Sequence, residues 1–289
     1  MDLVLIQILN GLQYGLLIFL IASGLTLVFG IMGVINLSHG SFYMLGAYLA
    51  LTLTGLTGDI FLALALGIPA AFLFGAAIEW LCIRFLYERE HLQQVLVTFG
   101  LILIFNELQR ILWGTRPHSI PIPSYLSGSV QLSNVLSYPV YRIAVAALCV
   151  GLAIAMMLVI QKTRIGRVIR AGESNREMVE ALGIDSRLLF RFVFATGVTL
   201  AAAAGMVAAP IESVYPGIGE QVLIISFVVV VIGGIGSVKG AFAGALLIGL
   251  ADAFGKVFLP QFASVMVYAL MAAVLVVRPG GLFGRAERA

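Results

Sequence analysis

The sequence predicts an all-α fold, a polytopic transmembrane helical bundle of about eight or nine membrane segments, and three observations carry that prediction. Of 289 residues, 61% are hydrophobic and only 11% are charged, against about 25% charged in an ordinary soluble domain. The mean hydropathy is +1.08. Apolar runs long enough to span hydrocarbon recur from end to end, so a single membrane domain over residues 1–289 is expected, with no detached soluble module.

The apolar segments run over approximately 4–33, 41–56, 60–83, 95–112, 140–160, 192–211, 221–238, 240–258 and 262–277. Ahead of the first there is no Lys or Arg, hence no basic region of a cleavable signal, and that segment is expected to stay as a helix. The two segments flanking Lys239 are short and glycine-rich. Re-entrant half-helices, tolerated where they face protein or a wet cavity, are the alternative to full crossings there. Cys82 and Cys149 sit inside apolar runs without metal-ligand spacing and read as packing residues, with no disulfide and no metal site expected.

Charge orients the chain. The long polar stretch over 162–190 carries Lys162, Arg164, Arg167, Arg170, Arg176 and Arg187 with Glu173, Glu177, Glu180 and Asp185, followed by Arg191, and the positive-inside rule makes it cytoplasmic. Counting crossings outward puts Arg84, Arg89, Arg278, Arg285 and Arg288 on the same side, with Arg110, Arg116 and Arg142 outside. The amino terminus then faces out and the carboxyl terminus in, with a Pro-, Ser- and Tyr-rich external loop from Gly114 to Pro139.

Three stretches carry functional expectations. Between Gly30 and Ser41, the residues Asn36, Ser38, His39 and Gly40 place polar groups between two apolar runs. Polar groups at membrane depth tend to face a bundle interior or an aqueous path, and the glycines permit unwinding. The structural alternative is a tight turn in which Asn36 and Ser38 cap the next helix. In the cytoplasmic stretch, Ala171, Met178, Ala181, Leu182 and Ile184 fall among charges at the spacing of a short amphipathic helix that Gly183 would end. Such a helix suits docking to a soluble partner, or alternatively to lipid headgroups. The third stretch is Gly233, Gly234, Gly236 and Ser237 through Gly240. It fails the Walker pattern, since Gly240 and Ala241 stand where Lys and a hydroxyl residue are needed, so close helix packing and a flexible break lining the path are the expected roles. A weak echo relates His39-Gly40-Ser41-Phe42 to Lys239-Gly240-Ala241-Phe242, 200 residues on. Glu79, Glu107, Glu212 and Asp252 fall near predicted helix ends, where solvation at the interface is the expected state.

Taken together these stretches resemble the permeases of branched-chain amino-acid ABC transporters, a group that also serves urea and short amides. The likeness covers nearly the whole chain. Its specific pieces are Ile35-Asn36-Leu37-Ser38-His39-Gly40, then Arg170-Ala171 through Glu177, Met178, Leu182, Gly183 and Ile184, then Gly233-Gly234-Ile235-Gly236-Ser237, and the closing Pro279-Gly280-Gly281-Leu282-Phe283-Gly284. The resemblance implies an importer working by alternating access in the bacterial inner membrane. This chain would be one permease beside a second, related or identical one, with two ATPase subunits beneath and a periplasmic solute-binding protein above; nucleic acid has no part in it. ATP and Mg belong to the partner ATPases, and no cofactor is expected on this chain. The family's coupling helix maps onto roughly Gly172 to Asp185, which makes Arg170, Glu173, Glu177, Met178, Ala181, Leu182, Gly183 and Ile184 candidates for ATPase contact. Two departures bear on the solute: Ser38 stands where Ala is common, and Ser41 follows Gly40 where an acidic residue is frequent.

An ion-coupled secondary transporter is the competing reading, and it needs intramembrane carboxylates or unwound carbonyls to hold the ion. An intramembrane hydrolase using Ser38 or Ser41 with His39 is the third. Adjacent residues on a helix point in different directions, so no catalytic residue is assigned.

Overall fold

The computed structural model describes residues 2–131, 136–174, 176–181, 183 and 185–284. Eleven α-helices appear among them: α1 (Asp2–Met32), α2 (His39–Thr57), α3 (Ile60–Leu81), α4 (His91–Trp113), α5 (Val140–Lys162), α6 (Arg164–Ser174), α7 (Arg176–Ala181), α8 (Ser186–Ala208), α9 (Ile218–Gly233), α10 (Val238–Phe258) and α11 (Ala263–Val277). Each apolar segment read from the sequence holds one of α1–α5 or α8–α11. Six of these helices, α1, α3, α4, α5, α8 and α10, are long and apolar enough to cross a bilayer. The chain is a polytopic helical membrane protein. A short antiparallel hairpin, β1 (Ser129–Gln131) with β2 (Ser137–Pro139), lies in the Pro-rich segment before α5.

Helices α1 and α8 form the centre. From Leu17 to Val28 every residue of α1 is buried, because α5, α8, α9 and α10 surround it. In a bilayer, apolar side chains gain little by leaving lipid for protein, so helix association rests on close van der Waals packing, which small residues permit. The seams here are of that kind. A Cβ on Gly24 of α1 would stand 2.6 Å from the carbonyl oxygen of Gly197 on α8. One on Gly46 of α2 would stand 2.2 Å from the Ala202 carbonyl, and one on Gly249 of α10 would stand 2.3 Å from that of Gly11. Helix α10 runs antiparallel to α1: Gly11 lies beside Leu250, Gly15 beside Ala245, the Phe19 ring 5.1 Å from that of Phe242, and Gly30 beside Gly236. The periphery behaves oppositely. Leu73 of α3, Ile111 of α4 and Ile154 of α5 are more than half exposed, as lipid-facing side chains are.

The carboxyl-terminal segment closes the end of α9. Its last carbonyls lack intrahelical donors. Leu282 N–H donates to Ile232 O at 2.8 Å and Phe283 N–H to Gly233 O at 3.0 Å. Gly281 N–H turns back on Arg278 O at 2.9 Å, and a Cβ on Gly281 would meet the Gly234 nitrogen at 2.5 Å. The Pro-Gly-Gly-Leu-Phe-Gly run therefore acts as a cap.

Candidate translocation and coupling sites

Helix α1 ends at Met32, where Gly33 takes a positive φ of 63° that a side chain would disfavour. The chain then runs without helix through Leu37 and re-forms a helix at His39. His39 lies well inside the bundle: its Nε2 donates to the carbonyl of Ile21, 3.0 Å away. Ile21 sits eleven residues before Met32, about 16 Å back along α1 at 1.5 Å per residue. Non-helical backbone at that depth must find its hydrogen bonds within the protein. Two polar residues of α4 supply them. Gln94 Oε1 accepts from Ile35 N–H at 3.1 Å and Thr98 Oγ1 from Leu37 N–H at 3.2 Å. The Gln94 amide also donates to the carbonyls of Leu86 and Arg89, at 3.2 and 3.1 Å.

Asn36, Ser38 and His39 are fully buried, and Gly40 with them. Asn36 Oδ1 accepts from both the N–H and the hydroxyl of Ser38, at 3.0 and 2.6 Å. Ser38 occupies the cap position of α2, yet its hydroxyl makes no capping bond to that helix, so the cap expected of it is replaced by a turn centred on Asn36. The carbonyl of Ile21 can only accept, which fixes the proton on His39 Nε2; Nδ1 then has no hydrogen-bond partner, and neither does Asn36 Nδ2. Ser38 and His39 are thus turned to different partners and form no nucleophile–base pair.

The first turns of α2 and α9 meet backbone to backbone. A Cβ on Gly40 would stand 2.0 Å from the Gly219 oxygen. The second glycine stretch lies elsewhere, at the end where α1 stops. Gly234 and Gly236, with φ of 94° and 81°, turn the chain from α9 into α10, and Ser237 caps α10 by accepting from Gly240 N–H at 3.1 Å. Gly233 is packed against Gly240. The structure therefore brings Gly30 to Gly236, while Asn36, Ser38 and His39 lie deeper, against α4 and the middle of α1.

The polar stretch is helical over α6 and α7, and Gly183 follows α7 with a φ of 78°. Thr163 Oγ1 caps α6 by accepting from Gly166 N–H at 3.1 Å, and Arg170 Nη1 donates back to the Ile160 carbonyl at the end of α5. Asp185 caps α8 through the N–H groups of Arg187 and Leu188. Ile169 and Val179 turn inward and are buried, whereas Ala171, Met178 and Ala181 face outward. Leu182 and Ile184 lie outside the described residues, as do the side chains of Glu173 and Glu177.

Of the isolated acidic residues, Glu79 departs from expectation. Its side chain is wholly buried, accepting from Arg191 Nε at 2.8 Å and from the Tyr87 hydroxyl, and so ties the end of α3 to the start of α8. Asp252 pairs with Lys256 at 2.6 Å, and Glu107 pairs with Arg110 at 3.4 Å on the surface. Glu212, in the connection between α8 and α9, is exposed and accepts from the Tyr43 hydroxyl at 3.4 Å. Sequence reading passed over Gln94 and Thr98. Their signal was present: Gln94, Thr98, Leu101, Ile102, Phe105 and Gln109 form the buried stripe of α4 at helical spacing.

A multi-helix bundle with a hydrogen-bonded break deep in its interior, and an amphipathic segment held outside at one end, has the build of a membrane transport subunit. Residues 7–276 match the family described as the branched-chain amino acid transport system permease component, and the chain belongs to that family. It is 34% identical to the high-affinity branched-chain amino acid transport system permease protein BraD of Pseudomonas aeruginosa, over 97% of this chain and 96% of the relative. To the LivH permease of the corresponding system of Escherichia coli it is 32% identical over the same shares. The ribose import permease protein RbsC of Haemophilus influenzae is 29% identical over 84% of this chain and 75% of its own length. No solved structure matches the chain.

Proposed function

We propose that this chain is the permease subunit of an ATP-driven importer of branched-chain amino acids, working by alternating access. The full-length likeness to permeases of branched-chain amino acid transport systems carries this reading. The end bearing Arg84, Arg89, Arg164, Arg167, Arg170 and Arg187 then faces the cytoplasm of the inner membrane, by the excess of positive charge there. The amino terminus faces the periplasm. A second permease, related or identical, completes the channel. Two ATPase subunits bind ATP and Mg below, and a periplasmic solute-binding protein delivers the amino acid.

The solute path runs past Asn36, Ser38, His39 and Gly40, and along the Gly233, Gly234, Gly236 and Ser237 turn. Its support is the break between α1 and α2, where buried polar atoms of Asn36 and His39 have no partner in this structure and a rearrangement would offer them one. The segment from Arg170 through Ile184 receives the ATPase stroke. The outward-facing Ala171, Met178 and Ala181 support that assignment, together with caps at Thr163 and Asp185 that fix the segment to α5 and α8.

Co-expression with candidate ATPases and binding proteins, purification through a tag on this chain, and measurement of ATP hydrolysis test the proposal. The expected result is recovery of ATPase subunits whose hydrolysis rises with binding protein and leucine. Replacing Met178 with Glu should lower that stimulation without lowering the yield of this chain. Purification of the chain without any ATPase, under conditions that preserve other importers, would contradict the proposal.

A further inference from the structure

At the coupling end of the bundle, a cavity of about 650 Å³ opens between the end of α3 and the start of α8. Arg84, Arg89, Arg187 and Arg191 line it, with Glu79, Glu88 and the ring of Phe85 among the other walls. Its charges are unevenly used. Glu79 is already paired with Arg191 and accepts from the Tyr87 hydroxyl within the protein. The nearby Asp185 carboxylate accepts the N–H groups of Arg187 and Leu188 at 2.9 and 3.4 Å. Among the lining residues, Arg84, Arg89 and Arg187 are left with the one carboxylate of Glu88, an excess of positive charge that Asp185 outside the lining reduces but does not cancel, and among the described residues neither Arg84 nor Arg187 makes an ion pair.

The rim differs from a purely polar docking surface. The Arg84 guanidinium rests on the rings of Trp80 and Phe85, 5.1 and 4.5 Å from their centroids. Both rings are exposed, and Leu81, next to Trp80, and Leu188, next to Arg187, are more than half exposed. Cationic groups inside an opening whose edge is aromatic and aliphatic match the layered chemistry of a membrane interface, where phosphates lie just above acyl chains.

We infer that this cavity binds the phosphate of an anionic phospholipid in the leaflet on the coupling side. Arg84 and Arg187 engage the headgroup, while Trp80, Leu81 and Leu188 lie against its acyl chains. Arg191 takes no direct part, since its guanidinium serves Glu79. The acidic surface of a protein partner is a poorer match, because it would pair with the cations but offer nothing to the apolar edge.

The test uses the chain purified from membranes with the subunits that accompany it, depleted of lipid by detergent exchange. Phosphatidylglycerol and phosphatidylcholine of the same acyl chains are added back in equal amounts, and native mass spectrometry counts how much of each is retained. Selective retention of phosphatidylglycerol is expected, weakened about fivefold by Arg84→Gln or Arg187→Gln alone and about 25-fold by both. Arg110→Gln, at the opposite end, should leave it unchanged. Equal retention of the two lipids by the unaltered protein would overturn the inference, and that comparison stands whether or not a variant folds. Undiminished retention by the folded double variant would also overturn it. So would displacement of the lipid by millimolar inorganic phosphate, which would make the cavity a site for a soluble anion. Binding seen only after the accompanying subunits are stripped away would give the cavity to a protein partner instead.

Discussion

Gln94 is the residue on which the interior break most depends. One side-chain amide accepts from Ile35 N–H and donates to the carbonyls of Leu86 and Arg89, joining the break after α1 to the connection between α3 and α4. Gln94→Leu removes the partner of Ile35 N–H and takes one donor from each of the Leu86 and Arg89 carbonyls, at a cost of about 1–3 kcal/mol for a stranded buried donor, and should lower the thermal midpoint of the purified transporter. Gln94→Glu keeps the acceptor for Ile35 but turns an oxygen towards two carbonyls, and should lie below the unaltered protein as well. Arg191 raises a related question of burial. Arg191→Met strands the Glu79 carboxylate and should cost about 3 kcal/mol. The pair Glu79→Gln and Arg191→Met together should recover part of that loss in a double-mutant cycle of melting temperatures. Burial of Gln94 was legible in the stripe of α4, but the pairing of Glu79 with Arg191 was not. Glu79 and Arg191 are 112 residues apart, and a carboxylate near a predicted helix end reads most simply as a solvated one. His39 was legible as a residue of interest; its bond to Ile21 depends on the chain folding back along α1, which hydropathy does not encode.

Among the elements, helix positions followed hydropathy closely, because a bilayer demands long apolar runs and tolerates little else. Boundaries followed local chemistry: Gly33 ends α1, Asp59 caps α3 through Phe61 and Leu62 N–H, and Gly183 follows α7. What hydropathy left open was which helices lie inside. Helices α1 and α5 are both strongly apolar, yet α1 is central and α5 largely faces outward. The difference lies in small residues that allow close approach, and their partners are set by the tertiary fold. That reasoning separates glycines of the same helix. Gly40→Ala would drive a Cβ into the Gly219 carbonyl and should prevent normal accumulation of the protein, whereas Gly55 has nothing within 4 Å. Gly55→Ala should be neutral or raise stability by up to about 1 kcal/mol, read from its melting temperature against that of the unaltered protein, while the yield of the two variants is compared.

For the whole molecule, the charge asymmetry, the cap that residues 281–283 form on α9 and the outward-facing segment of α6 and α7 all gather at one end, opposite the end that holds the β-hairpin segment. The sequence made the bundle and its family legible, because composition, order of motifs and length are global properties. Polar contacts between α4 and the break, and the cavity between α3 and α8, were not legible, since each joins residues that only the folded bundle brings together. The central claim is that amino-acid import through this chain is driven by ATP hydrolysis in partner subunits. Uptake of labelled leucine into proteoliposomes holding the purified complex, with binding protein outside and ATP either enclosed or absent, tests it most directly. The account predicts uptake that requires both enclosed ATP and binding protein and is unaffected by collapsing sodium and proton gradients. Uptake without ATP that follows an imposed ion gradient would contradict it.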